Sequence, residues 1–136
     1  MNITYITEYF PYKFGDTTGG VESRCFNIAK NLSKRHNITV ITSWKKGQER
    51  EHNIDNLKVI RVGPNHSYSN EGNILSRLRF SLAAYKKTRK IKSDIVEGHN
   101  FIGYLPSYYS AKKMGAKKII TYHEVWLGQW IRNKGL

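Results

Sequence analysis

The chain has 136 residues, 39% hydrophobic and 24% charged, which is enough for one domain with its own core and too apolar for a disordered tail. Lys and Arg total 23 against 10 Asp and Glu, a net charge of +13, and a surplus of that size points to an anionic partner: a phosphorylated ligand, a lipid surface or nucleic acid. A single cysteine, Cys25, is expected to exclude an internal disulfide framework and any zinc site built on cysteine. No apolar run approaches the ~20 residues of a membrane span. The N-terminus lacks the basic and apolar stretches of a signal peptide, so a cytoplasmic protein is expected.

The first predicted element is a buried strand over Asn2–Glu8, carried by Ile3, Tyr5 and Ile6. A loop rich in Gly, Pro and Asp runs from Tyr9 to Gly20. A helix is predicted over Val21–Arg35, because Val21, Cys25, Ile28, Ala29 and Leu32 share one face. Asn37–Ser43 is a second strand, Trp44–Asn56 a polar surface connection and Leu57–Val62 a third strand. A helix over Asn73–Ile91 is expected to turn Leu75, Leu78, Leu82 and Tyr85 to the core. Asp94–Glu97 is a short fourth strand. Pro106 suits the first turn of a helix starting near Leu105 and capped by Gly115. Lys117–Tyr122 is the fifth strand, and Trp126, Trp130 and Ile131 begin an amphipathic segment that looks cut short.

Strands alternating with helices imply an α/β fold, Rossmann-like, with a mostly parallel sheet and helices on both faces. Ligands of such sheets bind beyond the carboxyl ends of the strands. Three groups of residues fall there. Gly19 and Gly20, followed by Val21, place bare backbone at a helix N-terminus, where N–H groups can hold a phosphate. The glycines do not form the G-x-G-x-x-G dinucleotide fingerprint, which argues against NAD. His99 and Asn100 follow the fourth strand. His123 and Glu124 follow the fifth, where a His beside a carboxylate can bind a sugar hydroxyl or move a proton. His36, His52 and His66 carry no signal, and no His pair has the spacing of a helical zinc site. On the second long helix, Arg79, Lys86, Lys87 and Lys90 form a basic stripe that suits an anionic membrane leaflet or simply a solvated face.

These residues resemble the N-terminal domain of family 4 glycosyltransferases, which have the GT-B architecture. Ile6-Thr7-Glu8-Tyr9-Phe10-Pro11 is similar to the family's opening strand and loop, and Gly19-Gly20-Val21-Glu22 to its glycine turn. Asn27–Leu32 with His36–Val40 resembles its first helix and second strand. Asp94-Ile95-Val96 with His99 resembles its fourth strand and loop, and Thr121-Tyr122-His123-Glu124 its Thr-x-His-Asp segment. The resemblance implies a metal-independent, retaining enzyme with no cofactor, which moves a sugar from a nucleotide-sugar to an acceptor. It implies that this is the acceptor-side half, truncated and inactive without a C-terminal domain. It assigns the donor phosphates to Gly19 and Gly20, and the transferred sugar or acceptor to His123 and His99. Some members rest a basic helix on a membrane. Two positions depart from the pattern: Arg35 stands where a glycine is common, and Glu124 replaces the family's Asp. A stand-alone module for a phosphorylated sugar or lipid is the alternative. Nucleic acid is not expected, since no binding motif accompanies the charge.

Overall fold

The computed structural model describes residues 1–66 and 73–123. In chain order it contains β1 (Asn2–Ile6), α1 (Gly20–Leu32), β2 (Asn37–Trp44), β3 (Glu51–Ile54), β4 (Leu57–Asn65), α2 (Ile74–Thr88), β5 (Ile95–His99), α3 (Asn100–Met114) and β6 (Lys117–Thr121). The strands form one sheet in the order β3-β4-β2-β1-β5-β6. All neighbours are parallel except β3, which runs antiparallel to β4.

The period of two along each strand builds two cores. Tyr5, Val40 and Val59 point to one face, where Cys25, Phe26 and Ala29 of α1 cover them. Ile6, Ile41 and Ile60 point to the other, under Phe80 and Ala84 of α2 and Ile102 and Ala111 of α3. The chain leaves β1 toward β2 and β4, then crosses back through α2 to β5 on the other side of β1. That reversal makes the C-terminal edge beside β1 and β5 the place where a crevice opens.

Glycine permits the crossing of α3 over this corner. A Cβ on Gly103 would lie 2.7 Å from the Ile6 carbonyl oxygen, and one on Gly98 would lie 2.5 Å from Ser107 Oγ and 2.8 Å from the Gly103 carbonyl. Both positions therefore exclude any larger side chain unless the backbone shifts.

Four local expectations need correction. The surface connection Trp44–Asn56 contains β3, whose residues pair from Glu51↔Ile60 to Ile54↔Leu57; its polar sequence suits an edge strand with one wet face. The helix expected from Leu105 begins at Asn100, so Pro106 lies inside it. Asn100 itself adopts φ +59 and turns the chain directly from β5 into α3. The first helix ends at Leu32, and Ser33–His36 forms a turn before β2.

The fourth correction concerns α2. Leu75, Leu78 and Leu82 are each more than half exposed, and Tyr85 is only half-buried. The buried face is Arg77, Phe80, Ala84 and Thr88. Counting leucines turned the helix the wrong way, because Arg77 counts as polar although Glu8 neutralises it inside. The expectations for Glu124, Trp126, Trp130 and Ile131 lie outside the described residues.

Candidate functional site

His99 is the last residue of β5, and His123 lies two residues past β6. The parallel register sets His99 beside Thr121, so the two histidines meet at one rim. His99 Nδ1 is 3.1 Å from His123 Nε2, a hydrogen bond in which one ring donates to a bare nitrogen of the other. Their centroids are 5.3 Å apart. Tyr5 packs edge-on against His99, centroid to centroid 4.9 Å. On the other side of His123, Arg24 Nη1 lies 3.5 Å from Nδ1, while Cys25 Sγ lies 4.0 Å from the same Nε2 that faces His99.

His99 is 2% exposed and faces His123, whereas His123 is only half-buried. Burial first, then the electrostatic influence of His123 and Arg24, lowers the His99 pKa to about 4, so this ring is neutral at physiological pH. His99 Nε2 is 3.4 Å from Glu97 Oε1 but too poorly directed to hydrogen-bond, and it is left unsatisfied. Glu97 instead accepts from Thr121 Oγ1 at 2.6 Å.

Cys25, His99 and His123 each offer a ligating atom, all within 4.8 Å of one another. The single cysteine thus joins a mixed group that spacing along the chain does not reveal. Its chemistry suits a cation poorly. Burial first, then the Glu97 charge, pushes the Cys25 thiol up to about 12, and Arg24 stands at the edge.

Gly19–Val21 opens α1, one turn ahead of Arg24 and Cys25. Gly19 is the N-cap, extended and without a capping side chain. The space a Cβ would occupy on Gly20 is empty within 4 Å, so a ligand can approach the backbone there. Glu22 secures the preceding loop by accepting from Thr18 N at 2.8 Å and Thr18 Oγ1 at 2.7 Å. Asn100 sits next to His99 as the turning residue and is half-buried.

Arg79 and Lys86 on α2, and Lys90 in the turn that follows it, are exposed; the helix expected to run to Ile91 ends at Thr88. Lys87 instead forms a surface ion pair with Glu51, Nζ to Oε1 2.6 Å. The outer face also carries Leu75, Leu78 and Leu82, so it is mixed apolar and basic rather than simply charged.

A second polar cluster, across β1, was not anticipated. Glu8 is 3% exposed. Its Oε1 accepts from Arg77 Nε at 2.8 Å and lies 2.9 Å from His66 Nε2. His66 Nδ1 in turn meets Ser76 Oγ at 2.9 Å. His66 carries no signal in the sequence; an Arg at helical spacing with Phe80 and Ala84 was the available hint. Beside this cluster a cavity of about 440 Å³ opens under the Tyr9–Thr18 loop.

Sheet order and the two-faced core define a Rossmann-like domain. The family model for Glycosyltransferase Family 4 matches residues 18–136. The chain belongs to that family, as an N-terminal glycosyltransferase domain. It is similar to sucrose-phosphate synthase from Thermosynechococcus elongatus, with TM-score 0.72 and 12% identity over 95% of this chain and 34% of that one. The catalytic domain of starch synthase IV from Arabidopsis thaliana, bound to ADP and acarbose, gives TM-score 0.62 and 17% identity over 87% and 32%. MurG from Acinetobacter baumannii gives 0.54 and 13% over 98% and 39%. At these identities the likeness is one of fold. The chain spans about a third of the length of these structures. No curated protein matches the sequence. No helix among the described residues is long and apolar enough to cross a membrane.

Proposed function

We propose that this domain is the acceptor-side half of a retaining, cytoplasmic hexosyltransferase that uses a nucleotide-sugar, needs no metal, and acts only with a second, donor-binding domain. The observation that carries the reading is the His99–His123 pair at the strand ends, one turn from the open start of α1. His123 is the accessible member and contacts the transferred sugar or the acceptor hydroxyl. His99 is neutral and buried, and it positions His123 through the 3.1 Å hydrogen bond. The first-turn N–H groups at Gly20 and Val21 hold the departing phosphate as charge develops on it. The family resemblance implies a role for Glu124, the residue that follows His123 in the sequence, and that role is part of this proposal.

The domain also rests on an anionic membrane through α2. Leu75, Leu78 and Leu82 would enter the interface while Arg79, Lys86 and Lys90 meet the headgroups.

The test is turnover by the enzyme that carries both domains, assayed against a panel of nucleotide-sugars. His123→Ala is expected to lower kcat about a hundredfold with an unchanged circular-dichroism spectrum. Wild-type turnover in that variant removes His123 from the site.

A further inference from the structure

Arg61 lies on β4, 4% exposed, and lines the cavity together with Tyr9, Tyr12, Lys45 and Gln48. Its guanidinium donates to three main-chain carbonyls: Phe10 at 3.1 Å and Pro11 at 2.9 Å from Nη2, and Ser43 at 3.3 Å from Nη1. Its Nε–H has no partner. Among the described residues no carboxylate pairs with it. Glu22 also lines the cavity, but its Oε2 is taken up by the two donors of Thr18. Asp16, the other acid there, is exposed to water.

A buried cation held only by neutral carbonyls is under-compensated. Burial lowers the Arg61 pKa to about 10, against weaker opposing pulls from Tyr12 and Glu22. Lys45 adds a second, exposed positive charge on the same wall. Around these charges stand groups that suit a hydroxylated ring: the Tyr9 and Tyr12 rings, and the Gln48 side chain, which Lys45 N holds at 3.3 Å. The β2–β4 register shift between Ser43 and Trp44 forms this wall.

We infer that the cavity between the Tyr9–Thr18 loop and the ends of β2 and β4 binds an oxyanion on a sugar ring, so that the acceptor of this domain is an acidic sugar. The inference rests on the acceptor-side reading above. The anion, a carboxylate or a phosphate monoester, lies against Arg61 and Lys45. The ring lies against the tyrosines. Transfer then occurs to a hydroxyl directed across β1 toward His123.

The experiment is calorimetric titration of the 136-residue chain with glucuronate, glucose 6-phosphate and glucose, without nucleotide-sugar. At least one acidic sugar is expected to bind tenfold or more tightly than glucose, and which one it is separates carboxylate from phosphate. Lys45→Ala, on the surface, should weaken that binding threefold to tenfold with an unchanged melting temperature. Arg61→Gln should abolish it. Equal binding of glucose and both acids, no binding of either acid, or undiminished binding in Lys45→Ala each overturns the proposal. The Lys45 variant decides the matter if Arg61→Gln does not fold. Because no donor is present, failure here leaves glycosyl transfer standing. Acid binding without transfer in the two-domain enzyme removes only the transferase reading.

Discussion

Two buried polar clusters flank β1, and they are built on opposite electrostatic plans. Toward β4, Glu8 lies 2.8 Å from Arg77 and 2.9 Å from His66, so a carboxylate and a guanidinium meet inside the protein. Burial alone would lower the Arg77 pKa, but the Glu8 charge and hydrogen bond more than offset it and the value is raised. Toward β6, burial keeps His99 uncharged and joined to His123 by one N–H···N contact. A charge pair of the first kind is committed to the fold, since removing either member strands the other. A pair of the second kind, whose buried ring carries no charge, could on the proposed reading exchange its hydrogen bond for one to a sugar hydroxyl at little cost.

The largest effect expected from this contrast is in the charged cluster. Glu8→Gln leaves Arg77 buried without its carboxylate and should destabilise the domain by about 3–5 kcal/mol, measured by urea unfolding. A loss under about 1 kcal/mol would show that Glu8 and Arg77 do not form a committed pair.

The neutral cluster should reveal itself through pH. The His99 pKa is about 4 in the fold against 6.5 for an ordinary histidine. Between these values the unfolded chain binds the extra proton. Stability from this source is therefore complete above pH 6.5 and declines as pH falls toward 4, by roughly 3 kcal/mol. Unfolding of the wild type and of His99→Asn between pH 7 and 4 checks it: the variant should lose this part of the slope. Identical slopes would mean that His99 protonates freely in place.

The smallest effect on the fold belongs to the outside of α2, which belongs to neither cluster. Lys86→Glu with Lys90→Glu should change stability by less than about 0.5 kcal/mol. The same pair should abolish sedimentation with vesicles containing anionic lipid, and retained sedimentation would detach the membrane from this helix.

Much of the architecture was legible because it depends on periodicity. β1 and β2 carry β-branched and aromatic runs, β4 sets Leu57, Val59, Ile60 and Val62 between charged residues, and α1 buries Cys25 and Ala29 as expected, although Ile28 is exposed and Phe26 is buried in its place. The expected convergence of the first, fourth and fifth predicted strands corresponds to β1, β5 and β6, which are neighbours. The misreadings arose where a contact distant in sequence overrides local pattern. Arg77 is buried because of Glu8, 69 positions away. The early start of α3 depends on Asn100 adopting a left-handed backbone. The meeting of Cys25 with two histidines needs α1 laid against the rim, which no spacing along the chain encodes. Arg61 looks like the wet face of an alternating strand, and only the loop folded over it makes it an interior cation.

The close seating of Gly103 on the Ile6 carbonyl has a mechanical consequence. With no side chain between them, the helix and the two central strands have no slack to slide. The β5–α3 corner is then a stiff bracket, and His99 is bolted to it. On the proposed reading, a sugar held by the accessible imidazole would therefore be accommodated by movement on the His123 side.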